Sequence, residues 1–169
     1  MCSQPRARAQ RRLRVPVVAS AVLGLIMSLG SVGVAGASTL ATGSGLITGT
    51  AFTVTGVEQR GSITILTASI QDQYSGFLSG TAVGTFRQIT NSSTGSSVIE
   101  GTERCTCTVA GQAGTIQIRF FGPAATGGAT QGNLVVEQGE GGLTGLHGAG
   151  TFEGNLFAPL PYTVTVVAP

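Results

Sequence analysis

Leu78-Ser79-Gly80-Thr81-Ala82-Val83-Gly84-Thr85-Phe86 is the stretch on which the fold turns. Read with a period of two, Leu78, Gly80, Ala82, Gly84 and Phe86 share one face, and mostly small polar residues occupy the other. Glycine inside a strand weakens it, so its repetition marks sharp coiling or the close approach of another backbone. A small sheet rolled into a closed barrel needs both. Leu146, Gly148, Gly150 and Phe152 repeat the arrangement further along the chain.

The same period governs nearly everything after Leu46. Phe52 and Val54 alternate with Thr53 and Thr55, and Leu66, Ala68, Ile70 and Tyr74 alternate with Thr67, Ser69 and Gln71. Ile116, Ile118 and Phe120 alternate with Thr115, Gln117 and Arg119, and Tyr162, Val164 and Val166 with Thr163 and Thr165. Turn signals at Arg60-Gly61, Ser75-Gly76, residues 91–95, residues 111–114, Gly122-Pro123, residues 139–142 and Gly154-Asn155 separate eight strands. Hairpin-connected strands expose edges unless the sheet closes. Eight strands close around an interior that side chains fill or one small ligand occupies. The expected fold is therefore all-β: a single eight-stranded antiparallel β-barrel over residues 46–169, led by a short flexible segment, 38–45.

Residues 1–37 read as a signal peptide. Arg6, Arg8, Arg11, Arg12 and Arg14 precede an apolar run from Val17 to Leu29, and Ala35-Gly36-Ala37 offers the small-residue site at which such segments are cut. The apolar run is too short for a spanning helix, which needs about 20 residues. An uncleaved anchor over residues 15–34 fits less well, because its second half is rich in Gly and Ser. The expectation is secretion, with cleavage between Ala37 and Ser38 and no stable membrane anchor. What remains, residues 38–169, carries four Arg, seven acidic residues and no Lys, a net charge of −3 with His147 neutral. Such a surface has no basic cluster to neutralise phosphates, which argues against a nucleic-acid partner.

Several segments resemble a bacterial family designated domain of unknown function 3224. Gly49-Thr50-Ala51-Phe52-Thr53-Val54-Thr55 is similar to its opening G-T-F-x-V-T strand, and Tyr74-Ser75-Gly76-Phe77-Leu78-Ser79-Gly80-Thr81 to its aromatic-S-G-x-L-x-G hairpin. Gly101-Thr102-Glu103 and Gly111-Gln112-Ala113-Gly114-Thr115 resemble its G-x-E strand and G-R-S-G-T turn. Residues 142–153 resemble its most distinctive segment, G-x-L-x-G-L-x-G-x-G-x-F. Together these span about residues 46–167. The chain departs from the pattern at Gln112, where the family's turn carries Arg, and in its Cys-x-Cys pair. The resemblance implies an allene oxide cyclase-like barrel, calycin-like in shape, and implies no settled activity. Function carried over from barrel relatives is analogy.

Strand parity supplies the candidate site. Ile99, Gly101, Glu103, Cys105, Cys107 and Val109 fall on the more apolar face of their strand, which points Glu103 inward. Asp72 lies inward with Ile70 and Tyr74 by the same rule. A buried carboxyl is costly unless paired, and burial raises its pKa, which suits it to acid–base work. Glu103, Asp72 and Tyr74 are thus candidates for lining a ligand cavity, with Glu103 the candidate catalytic residue. The alternative is a structural Glu103, paired with Arg87 or Arg119 or capping a barrel end as a hydrogen-bond hub.

Cys105 and Cys107 leave three choices open: a disulfide requiring a bulge, two free apolar residues, or metal ligation. Residues i and i+2 of a regular strand are about 6.7 Å apart, at the edge of what a bridge tolerates. Two thiols and a distant His147 make no recognisable metal set, so no metal is expected. Nor is a cofactor, since no phosphate loop, G-x-S-x-G, H-E-x-x-H or C-x-x-C motif is present. The expected function is binding of a small, largely apolar ligand inside the barrel. The alternatives are a cofactor-free cyclase or isomerase, and a solidly packed structural barrel whose outer face forms a homo-oligomer.

Overall fold

Period-two alternation becomes eight strands in the structure, a computed structural model that describes residues 38–168. The signal peptide read over residues 1–37 lies outside the described residues. The strands are β1 (Thr39–Arg60), β2 (Ile63–Gly76), β3 (Leu78–Asn91), β4 (Ser96–Val109), β5 (Gln112–Ala124), β6 (Ala129–Gly141), β7 (His147–Asn155) and β8 (Leu160–Ala168). Each pairs antiparallel with the next, and β1 pairs with β8, so the eight form one ring-like sheet. There is no helix among the described residues.

The inner face is the one that alternation selects. Ala68, Ile70 and Tyr74 on β2 are buried, as are Ile99, Cys105, Cys107 and Val109 on β4 and Ile116, Ile118 and Phe120 on β5. Tyr162, Val164 and Val166 on β8 complete the ring. Burying each of the larger aliphatic side chains stabilises the ring by about 1.5–3 kcal/mol. The interior is not uniform. Leu78, Val109, Ile116, Val136, Leu143, Leu146 and Val166 pack solidly at the end that holds the β2–β3, β4–β5 and β6–β7 turns. The β4–β5 turn is Ala110-Gly111, both with positive φ (49° and 85°), the conformation that joins right-twisted strands through two residues.

Three expectations need correction. Residues 38–45 are not a flexible lead-in: Thr39–Ile47 pair residue by residue with β8. Their small residues serve packing. The Phe77 ring occupies the place where a Cβ on Gly43 would stand, and the Tyr162 hydroxyl lies 2.5 Å from where one on Gly45 would be.

Gly122-Pro123 is not a turn. Strand β5 runs on to Ala124 and the reversal falls at residues 125–128. Proline survives there because Val98 pairs with it on one side while the ladder to β6 skips Gly122 and Pro123, leaving no N–H to be missed.

The ring also retains one open edge. β1 pairs with β8 only as far as Ile47, so residues 48–60 are held by β2 alone. Phe52 and Val54, on the inward parity, consequently stay about half exposed (55% and 50%). Register shifts between Gly49 and Ala51 and between Val54 and Gly56 interrupt that edge, as bulges commonly do where a strand lacks a second neighbour.

Candidate functional site

Three inward side chains meet across β3. Tyr74 and Asp72 stand on β2, Glu103 stands on β4, and β3 runs between them carrying Gly80, Ala82 and Gly84. Tyr74 is level with Gly80, Asp72 with Ala82, and Glu103 with Gly84. Any large side chain on the middle of β3 would separate the three. A Cβ on Gly84 would already lie 2.8 Å from Cα and 2.9 Å from Cγ of Glu103. The glycine alternation that predicts coiling thus also clears space for the site.

The Tyr74 hydroxyl donates to Glu103 Oε2 at 2.7 Å, and the Asp72 carboxyl lines the same cavity as both. Glu103 is only 4% exposed. Burial pushes its pKa well above the ordinary glutamate range, and the hydrogen bond and charge of Asp72 push it further, while the Tyr74 hydrogen bond pulls the other way. Glu103 therefore holds its proton to higher pH than an exposed glutamate does. The Tyr74 phenol is raised by burial and then by the charge of Glu103, so it remains a donor. Tyr162, edge-on to Tyr74 with ring centroids 5.8 Å apart, accepts from the Leu78 N–H at 2.8 Å and closes the packed end beneath.

Neither expected arginine reaches Glu103. Arg87 pairs with Glu100 at 2.7 Å and Arg119 faces Glu137 at 3.8 Å, both on the outer surface. Parity forces this, since Arg87 and Arg119 alternate with the inward Phe86 and Phe120.

Above the carboxyls the interior opens into a cavity of about 530 Å³, in the range of small-molecule sites. Asp72, Tyr74 and Glu103 all line it. Its walls are mainly apolar: Phe52, Phe86, Phe120 and Phe152, with Ile70, Ile99 and Leu134. The Phe86 ring stacks on Phe120 at 6.3 Å and meets Phe52 edge-on at 5.4 Å. The mouth lies between residues 47–52 of β1 and the β7–β8 turn, where Phe157 is 84% exposed. Alternation selects Phe86, Phe120 and Phe152 as inward residues. It gives no sign of the bulge at residues 49–51, or of the 156–160 turn as part of the rim.

The two cysteines are bonded to each other, with Cα atoms 5.4 Å apart. The expected bulge is absent, because β4 keeps unbroken register with both β3 and β5 through residues 105–107. Coiling of the strand shortens the two-residue repeat. Gly80 and Gly114 beside Cys107, and Ala82 beside Cys105, leave room for the bridge. Both sulfurs are thereby committed to each other and not to a metal. His147 is exposed at the start of β7, its Nδ1 3.0 Å from the Gly145 carbonyl oxygen, away from this cluster.

No curated protein matches the chain. Among solved structures, a crystal structure of a protein with unknown function from the DUF3224 family of Shewanella oneidensis MR-1 superposes with a TM-score of 0.62 at 20% sequence identity. The match covers 79% of this chain and 98% of that one, and it speaks for a shared fold. The family model described as "Protein of unknown function (DUF3224)" matches residues 41–163, from the first strand of the ring to the last. The chain belongs to the DUF3224 family.

Proposed function

We propose that this is a secreted β-barrel protein that holds a small, largely apolar molecule in its interior. The observation that carries the proposal is the cavity: about 530 Å³, walled mainly by phenylalanine and aliphatic side chains, its ionisable groups being Asp72, Tyr74 and Glu103. Apolar walls supply affinity and a few convergent polar groups fix orientation. A structural barrel without a binding role has no need of this space, and the solid packing at the opposite end shows that the sequence can fill an interior when nothing is to be held there. Secretion is part of the same proposal. The ring begins at Thr39, so cleavage after Ala37 would spare every paired residue.

Native mass spectrometry of protein purified from its own culture medium tests both parts. The expected result is an N-terminus at Ser38 and a co-purifying small molecule released on unfolding. Protein that is retained in the cells, or that is ligand-free and fails to bind apolar probes, would overturn them.

A second reading, a cofactor-free cyclase or isomerase, is favoured by one specific observation. Glu103, its pKa raised by burial, lines the cavity together with a second carboxyl, the arrangement an acid–base catalyst uses. Glu103→Gln separates the two. It would abolish turnover in a catalyst and leave a pure binder's affinity largely intact.

A further inference from the structure

We infer that the ligand this cavity prefers is an organic cation: an alkyl or aryl amine in its ammonium form, donating to the Asp72–Glu103 carboxyls while its apolar part lies against the phenylalanines. The inference rests on the binding proposal above and adds the charge of the ligand to it.

Charge inside the ring is one-sided. The cavity is lined by Asp72 and Glu103 and by no arginine or histidine. The chain contains no lysine. Its arginines among the described residues are engaged on the outer surface, Arg60 with Glu58, Arg87 with Glu100, Arg104 with Glu140 and Arg119 opposite Glu137. Two carboxyls that line one cavity repel each other when both are ionised, and a cation between them relieves that repulsion. Glu103 accepts from Tyr74, and neither carboxyl has a counter-ion among the described residues. In apolar surroundings an uncompensated carboxylate is costly, and a cationic ligand compensates it.

Geometry leaves the carboxylate reachable. Asp72 is half-buried, whereas Glu103 is enclosed. On the β1 side Asp72 pairs with Gly49, and a Cβ built there would stand 3.6 Å from Asp72 Oδ1 with no other atom within 4 Å. The absent side chain keeps that oxygen open to the cavity, next to the bulge at residues 49–51. An ammonium group has three donors and no acceptor, which matches oxygens that have already taken the donors the protein offers. The rings of Phe52, Phe86, Phe120 and Phe152 line the same cavity, and an aromatic face attracts a cation more than a neutral group of the same size. A ligand carboxylate meets repulsion instead.

Calorimetric titration of the full chain at pH 7 with n-octylamine, n-octanol and n-octanoate tests this, because the three share one apolar tail. The expected order is amine, alcohol, carboxylate, with the amine at least about tenfold tighter than the alcohol. In the double variant Asp72→Asn/Glu103→Gln that preference should vanish, the amine losing at least about tenfold relative to the alcohol. Equal or tighter binding of the alcohol by the wild-type chain would overturn the cation inference and leave the binding proposal standing. If none of the three probes binds, both fall. An amine preference that survives in a folded double variant would place the cation elsewhere and overturn the site. The wild-type comparison decides the matter even if the variant does not fold.

Discussion

Tyr74 reaches across an entire strand to hold Glu103: its hydroxyl donates to Oε2 at 2.7 Å from β2 to β4, over the glycine-lined face of β3. This bond ties the oriented end of the cavity to the packed end, because the same tyrosine ring packs edge-on against Tyr162. Tyr74→Phe should destabilise the protein by about 1–3 kcal/mol, the cost of leaving a buried acceptor unpaired. It should also raise the proton affinity of Glu103 further, since the lost bond is the one that lowers it. Urea unfolding and a carboxyl NMR titration of Glu103 read the two effects separately.

Because Glu103 binds its proton more tightly folded than unfolded, the native state holds more protons once the pH passes the ordinary glutamate range. Its contribution to stability is complete below that range and is lost as pH rises through the raised folded value. Glu103→Gln imitates the protonated acid, still accepting from Tyr74 while carrying no charge. The variant should match the wild type in acid and exceed it at neutral to alkaline pH, giving a flatter profile of unfolding free energy against pH. A parallel profile for the two proteins would contradict the raised proton affinity of Glu103.

Gly84 keeps the site open. A methyl group there would meet the Thr102 carbonyl oxygen and stand 2.8 Å from Glu103 Cα, backbone atoms that cannot swing aside. Gly84→Ala should therefore cost about 1–3 kcal/mol by overpacking and lower the melting temperature by several degrees, although alanine is ordinarily the better strand residue.

The turn between β4 and β5 can be improved. Ala110 adopts a positive φ of 49°, a conformation that disfavours residues with a Cβ but that asparagine tolerates. Ala110→Asn, giving the Asn-Gly sequence that two-residue hairpins prefer, should stabilise the fold by roughly 0.5–1 kcal/mol, measured by chemical denaturation.

With Cys105 bonded to Cys107, thiol titration of denatured, unreduced protein should find only Cys2 in the full-length chain, and no thiol once residues 1–37 are removed. A bridge that closes so short a loop restricts the unfolded chain little, so its reduction should lower stability by no more than about 2 kcal/mol.

How much of this was legible in the amino-acid order depends on which physical rule is consulted. A side-chain period of two is local, and it assigned the inward faces of β2, β3, β4, β5 and β8 residue by residue, Glu103 and Tyr74 included. It failed where local rules mislead. The small residues of 39–45 look like a linker until Phe77 and Tyr162 are seen to need their lack of side chains. Pro123 looks like a turn until the neighbouring ladder is seen to skip it.

The chain's own order settled the all-β class, the eight strands and the parity that turns two acids and a tyrosine inward, because each follows from residues adjacent in sequence. Tertiary structure alone decided that Tyr74 reaches Glu103 across β3, that Asp72 lines the same cavity, and that one end of the interior is packed while the other is hollow. Those outcomes depend on register and stagger between strands far apart in sequence. A shift of one residue in any pairing would exchange the inner and outer faces and dissolve the site.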